Sequence, residues 1–201
     1  MEQPALRGGA RGAFADSPDV FHSRMLERYG AFLEKRGNTT VLDTGPVSGT
    51  NIDFFLTMAG RVFVLDLARR AGLDAGAAVN PSRILSEMEF GPALFDGIHL
   101  WDLPDHLESA ALVQVVRKCQ SLLTPGGLLT VIAAGSSALQ PFSQYFERVR
   151  GFDVRLKQDR SCRLPWIFRS NRDIEQEMRP LVQIDSFLCM NGIREFLFKR
   201  K

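Results

Sequence analysis

Four short apolar runs, set between stretches with helical spacing, constrain this chain more than any other feature. They are TVLDT, RVFVLDL, FDGIHLW and LLTVIAAG. All are near-continuously apolar rather than alternating, as expected of strands buried on both faces of a parallel sheet. In VFHSRMLERYGAFLEKRG, the residues Phe21, Met25, Leu26, Tyr29 and Leu33 recur at helical spacing, and Gly37 stops the helix. NIDFFLTMAG reads as a second helix closed by Gly60. A third, with Ser109 as N-cap, carries Leu112, Val115, Val116, Cys119, Leu122 and Leu123 on one face and ends at TPGG. Between Ala68 and Phe90 only RILSEM suggests a further strand. Strands alternating with helices imply βαβ units. Near the end, SNRDIEQEMRPL reads as a helix capped by Ser170 or Asn171. QIDSFLCM and IREFLFKR follow, joined by Asn191-Gly192, a strong hairpin signal. The expected fold class is α/β: a Rossmann-like three-layer sandwich whose mostly parallel sheet ends in an antiparallel hairpin.

With 201 residues, of which 45% are hydrophobic, the chain can bury a real core in one domain. The expected organisation is a flexible, Gly/Ala/Pro-rich N-terminus over residues 1–18 and a single domain over 19–201. A net charge of +2 gives no general attraction for nucleic acid, which is not an expected partner. No run of about 18 apolar residues occurs, so no membrane span is expected. The first residues lack the apolar centre of a secretory signal. Cys119, Cys162 and Cys189 are scattered without metal-ligand spacing, which suits a reducing compartment. The expectation is a cytoplasmic protein without a metal site.

The chemistry is concentrated in VLDTGPVSGTNIDFF, where a strand breaks at Gly45-Pro46 and a helix begins. The stretch is not a phosphate-binding P-loop, since Asn51 follows Thr50 where Lys and Ser/Thr are needed. Nor is it the dinucleotide fingerprint, which would need Gly at 45, 47 and 50 but meets Val47 and Thr50. What remains is an acid, Asp43, followed by Gly45 and Gly49 after a first strand. This pattern aims backbone N–H groups at the carboxyl edge of the sheet, beside a helix N-terminus. Asp66 ends the second strand about twenty residues on, where an acid can hold both hydroxyls of a ribose.

In these features the chain resembles the class I S-adenosylmethionine-dependent methyltransferases. VLDTGPVSG corresponds to the first motif, VFVLDL to the ribose-binding acid, and FDGIHLWD to the fourth strand. DHLES and LLTPGGLLTVI follow in family order, so the resemblance covers residues 40–135, with a family-like hairpin after it. It implies S-adenosylmethionine as cofactor and methyl transfer to a small-molecule acceptor. It also implies roles. Gly45, Pro46 and Gly49 would let the backbone approach the cofactor's methionine part, and Asp43 would orient the loop or reach the amino group. Asp66 would hold the ribose and Leu67 would lie against the adenine. Glu87 or Glu89 would meet the adenine amino group, with Glu89 preferred. Trp101 and Asp102 would border the transferred methyl. Asp102 and His106 are the weak catalytic candidates.

Plainer roles stand beside these. Gly45 and Gly49 can serve a tight turn alone, Asp66 can be a solvated strand end, Trp101 can be packing, and His106 can be structural. Val47 replaces the family's middle glycine, and no N-P-P-Y-like tetrapeptide follows the fourth strand, where WDLP stands. The Gly135-Ser136-Ser137 stretch after the fifth strand names no chemistry. The alternative function is therefore a catalytically impaired, methyltransferase-like binding or scaffold protein. The basic run Arg148, Arg150, Arg155, Lys157, Arg160, Arg163, Arg169 and Arg172 admits an acidic acceptor, a lid over the site, or a solvated face.

Overall fold

The computed structural model describes residues 20–70, 81–134, 143–159, 165–189 and 192–201. In chain order the elements are β1 (Val20–His22), α1 (Arg24–Arg36), β2 (Thr40–Asp43), α2 (Gly49–Leu56), β3 (Arg61–Val64), α3 (Leu67–Arg70) and α4 (Pro81–Glu87). They continue with β4 (Phe95–His99), α5 (Ser109–Leu122), β5 (Leu123–Ala133), β6 (Ser143–Arg150), β7 (Asp153–Asp159), α6 (Asn171–Glu177), β8 (Val182–Leu188) and β9 (Arg194–Lys199).

Six strands form the main sheet in the order β3-β2-β4-β5-β9-β8. The pairs β2–β3, β2–β4 and β4–β5 are parallel, whereas β5–β9 and β8–β9 are antiparallel. This is the expected α/β architecture with its terminal hairpin. Gly192 turns that hairpin at φ 81, while Asn191 lies outside the described residues. Alternation along each strand feeds two cores. Leu42, Ile98, Leu129, Val131, Phe196 and Phe198 face α4, α5 and α6. Val41, Leu128, Ile132 and Leu197 face α1 and α2. Both faces are buried, which is why the strands read as continuous apolar runs.

The capping chemistry also matches. Gly37 closes α1 with φ 65 and an N–H bond to Leu33. Ser170 caps α6 in a capping box with Asp173. At α5 the expectation fails: Ser109 is the first helical residue rather than the N-cap, and Glu108 holds the cap position without a side-chain cap bond.

Three segments differ from expectation. RILSEM is not a strand but part of α4. Pro81 suits a first helical position, and Ile84 and Met88, four residues apart, are both fully buried, as on one helix face. VFH does not extend α1. It forms β1, pairing antiparallel with β7 through Phe21↔Val154, and Ser23 then caps α1 by accepting from the Leu26 N–H. The basic stretch holds β6 and β7, which join β1 in a second, three-stranded sheet. Phe21, Phe152, Val154 and Leu156 of this sheet pack onto the α1/α2 core, so residues 147–157 are scaffold rather than a free lid. Arg160 and Arg163 lie outside the described residues, as do residues 1–19, Cys162 and Gly135-Ser136-Ser137.

The start of α1 is bound to β9. Glu195, wholly buried, accepts a hydrogen bond from the Ser23 hydroxyl and another from the Met25 N–H at 3.2 Å. Arg169, 2% exposed, ties the chain before α6 to the turn after β4. It donates to Glu177 and to the Pro104 carbonyl at 2.5 Å each, and also to the Leu107 carbonyl.

Candidate functional site

β2, β3 and β4 end side by side, and the candidate residues collect at that edge. Asp43 closes β2 and is 1% exposed. Its Oδ1 accepts from the Gly45 N–H at 2.9 Å and from the Trp101 indole Nε1–H at 2.6 Å. Its Oδ2 is buried without a hydrogen-bond partner among the described residues. Burial, and then nearby Asp66, push its pKa up to about 6 against the opposing pull of the two bonds. A buried carboxylate with one free oxygen is suited to a cationic donor.

Gly45 is required by its neighbour. A Cβ there would lie 2.6 Å from both Cδ1 and Nε1 of Trp101. The indole therefore rests directly on the loop, 4% exposed, with its ring 3.9 Å from the His99 ring in edge-on contact. Trp101 adopts φ +51, a conformation strained for a bulky side chain. Its carbonyl accepts from the Ile132 N–H at 2.9 Å, so the backbone is held by β5. His99 is wholly buried, and burial lowers its pKa to about 3. It is a neutral wall.

The rest of the loop is open. Val47 is 73% exposed and is not among the described residues with positive φ. Its side chain faces solvent. Nothing lies within 4 Å of a Cβ placed at Gly49, the first residue of α2. Pro46 is half-buried beside Gly45.

Asp66 stands just past β3, half-buried, and accepts from the Arg69 N–H at 3.1 Å. It thereby caps α3. Leu67 is fully buried in the core cluster that holds Ile84 and Met88, and none of its surface is open to a ligand. Glu87 is paired with Arg70 at 2.9 Å, whereas Glu89 is exposed.

A second polar group lies beyond Trp101. The His106 Nδ1 donates to the Pro165 carbonyl at 2.8 Å, and its Nε2 faces Asp102 Oδ2 at 3.2 Å. Both neighbours are acceptors, so both ring nitrogens carry protons. Burial opposes the charged ring, but Asp102, Pro165 and Asp105 outweigh it and hold the pKa above its usual value. With both ring nitrogens engaged, His106 is a structural tie and has no lone pair free for a substrate.

The sequence reading missed Asp105, which is 1% exposed. Its Oδ2 accepts from the Ala134 N–H at 2.8 Å, and its Oδ1 has no partner. Burial raises its pKa to about 7. A carboxyl whose folded pKa is raised stabilises the fold most below its unfolded value of about 3.9. That contribution is lost as pH rises through the folded pKa. Wild-type stability should therefore decline between about pH 4 and pH 7. Asp105→Asn, which keeps an acceptor for Ala134 but does not titrate, should show a shallower decline in denaturant midpoints measured across that window.

The basic run is not one cationic face. Lys157 pairs with Glu147, and the Arg148 guanidinium lies 5.4 Å over the Phe54 ring while its Nε donates to the Gly151 carbonyl. Arg169 is interior, whereas Arg150 and Arg172 are exposed. No described helix is long and apolar enough to cross a membrane.

No family model matches this sequence, and neither does any curated protein sequence. Solved structures do. The chain is similar to the 1,6-didemethyltoxoflavin-N1-methyltransferase of Burkholderia thailandensis, solved with 1,6-didemethyltoxoflavin and S-adenosylhomocysteine. The TM-score is 0.54 at 20% identity over 89% of this chain and 79% of that one. It is similar to the N-methyltransferase NodS of Bradyrhizobium japonicum (TM-score 0.51, 15% identity, 87% and 95% covered). It is also similar to CalS10 of Micromonospora echinaspora, an amino pentose methyltransferase solved with S-adenosylmethionine (0.52, 14%, 87% and 88%). The chain has the fold of the S-adenosylmethionine-dependent methyltransferases.

Seen as a methyltransferase fold, the edge carries a set of carboxylate acceptors that suits the cofactor. The Asp43 Oδ2 offers a buried anionic oxygen for an ammonium, and Asp66 offers a half-buried carboxylate for a vicinal diol. The surface of Gly45 is the point of conflict, because the Trp101 indole lies on it.

Proposed function

We propose that this chain binds S-adenosylmethionine at the edge formed by β2, β3 and β4 and transfers its methyl group to a small-molecule acceptor. The observation that carries the reading is the Asp43 carboxylate. It is buried at the end of a central strand, bonded through Oδ1 to the Gly45 loop, and left with Oδ2 unpartnered. An isolated buried acceptor of this kind is costly unless a ligand satisfies it. Asp43 would hold the cofactor's ammonium, and Gly45, Pro46 and Gly49 would let it approach the backbone. Asp66 would bind the ribose hydroxyls, and exposed Glu89 is the remaining candidate for the adenine amino group. When bound, the cofactor supplies a methyl group made electrophilic by the sulfonium. The chain's part is then alignment and the exclusion of water, for which the buried, neutral His99 ring is suited. Asp102 is committed to His106, so the acceptor is expected to be nucleophilic without a base from that pair. The internal ties of Lys157, Arg148 and Arg169 give little support to an acidic acceptor.

The second reading is a binding module that has lost methyl transfer. It is favoured by the indole lying on Gly45.

Calorimetry with S-adenosylhomocysteine tests the first step. Wild type should bind, and Asp66→Ala should bind roughly 10- to 150-fold more weakly, as expected for a lost charge-assisted contact of about 1.5–3 kcal/mol. No heat at millimolar ligand, in wild type and in a variant with the Trp101 indole removed alike, would end the cofactor reading. Equal affinity in the variant would remove Asp66 from the site.

A further inference from the structure

The side chain lying on the cofactor loop belongs to the protein itself, and its polar atom uses the carboxylate that the ligand would need. The Trp101 indole touches Gly45 with Cδ1 and Nε1, and its N–H donates to Asp43 Oδ1 at 2.6 Å. The other Asp43 oxygen has no partner. Trp101 lies two residues past the end of β4 and holds a left-handed backbone, φ +51, pinned by the Ile132 N–H.

We infer that Trp101 is a built-in plug that covers the seat of the cofactor's amino-acid arm and is displaced by a ligand carrying an ammonium group there. The inference rests on the cofactor reading above and concerns the regulation of that site.

The chemistry of the exchange follows from the two donors. The indole N–H is neutral, and a ligand ammonium is charged. The indole bond is charge-assisted from the carboxylate side alone, whereas an ammonium brings the opposite charge into a buried site. An ammonium can reach both the bonded and the unpartnered oxygen of Asp43, so it replaces a bond from a neutral donor with an ion pair. A ligand with the same nucleoside but no amino-acid arm has nothing to offer Asp43 and would leave the indole in place. The plug thus selects for the arm. Because its main chain is held by β5, the movement is a side-chain rotation, away from a loop where Val47 already points to solvent.

Two ligands distinguish the outcomes: S-adenosylhomocysteine, which has the arm, and 5′-methylthioadenosine, which lacks it. The chain has two tryptophans, so Trp166→Phe leaves Trp101 as the single reporter. In that variant S-adenosylhomocysteine should shift the indole emission to the red as the ring leaves its buried seat, and methylthioadenosine should not. By calorimetry, Trp101→Ala should bind S-adenosylhomocysteine at least about tenfold more tightly than wild type, with methylthioadenosine unchanged. Trp101→Phe keeps the cover but lacks the N–H, and should gain less, roughly fivefold. It serves if the alanine variant fails to fold. An unmoved emission spectrum with bound S-adenosylhomocysteine would overturn the plug. So would equal or weaker binding in the variants, or an equal gain for both ligands. If neither wild type nor any variant binds either ligand, the cofactor reading falls as well.

Discussion

Replacing Arg169 by alanine is expected to destabilise the protein by about 3–5 kcal/mol, the range for removing one partner of a buried ionic group. The guanidinium is 2% exposed and bridges three acceptors: the Glu177 carboxylate and the carbonyls of Pro104 and Leu107. Without it, the Glu177 carboxylate and the Leu107 carbonyl lose this donor under the surface, and the Pro104 carbonyl keeps only the 3.4 Å bond from the Leu107 N–H. Glu177, 14% exposed at its side chain, keeps a charge that solvent hardly reaches. Denaturant unfolding measures the loss. Arg169→Lys should recover less than half, because an ammonium cannot reproduce the planar fork. Glu177→Ala should cost less in the Arg169→Ala background than in wild type, since the stranded charge is then gone. A loss below about 1 kcal/mol for Arg169→Ala would mean that the segment before α6 is not held as described.

Gly97→Ala should lower stability by about 3 kcal/mol through overpacking. Gly97 lies in the middle of β4, and the added methyl would overlap the Tyr29 hydroxyl and sit 2.5 Å from its Cζ. Tyr29 is wholly buried, with its ring 6.4 Å from those of both Phe55 and His99, so it has no room to retreat. Its hydroxyl has no hydrogen-bond partner. Tyr29→Phe alone should therefore be close to neutral or slightly stabilising. Combined with Gly97→Ala, it should return part of the loss, because the nearest clashing atom is gone while the ring remains. Thermal melts of the four proteins form a double-mutant cycle. Additive effects would show that the two residues do not touch.

What could be read from the sequence was what local chemistry decides. TVLDT, RVFVLDL, FDGIHLW and LLTVIAAG are strands because burial on two faces leaves a continuous apolar signature. Gly37 and Ser170 end and begin helices by forces acting within one turn. RILSEM was ambiguous because so short an apolar run fits either period, and only the joint burial of Ile84 and Met88 reveals the helix. VFH is a strand only because β7, more than 130 residues away, pairs with it. β6 and β7 carry charges along their length, and Glu147 and Lys157 neutralise each other across the strands, a pairing that spacing along one strand cannot show. At the site, Asp43, Gly45 and Asp66 were legible from their places at strand ends. The contact between Trp101 and Gly45 was not, since 56 residues separate them and only the β2–β4 pairing brings them together. For the same reason His106 looked available as a base until its two acceptors, Asp102 and Pro165, were seen.

The bond between Glu195 and the beginning of α1 sets an order of events during synthesis. Translation makes α1 well before β9, yet the carboxylate that fixes Ser23 and the Met25 N–H comes from β9, 170 residues beyond Met25. Until β9 pairs with β5, the apolar side of α1 also lacks Leu197 to rest on. Contacts this distant in sequence form late and slow folding. A ribosome-bound chain still lacking β9 would hold α1 with only its local Ser23 cap and a half-covered apolar face. β9 therefore acts as the clasp that fixes the first helix in its native place.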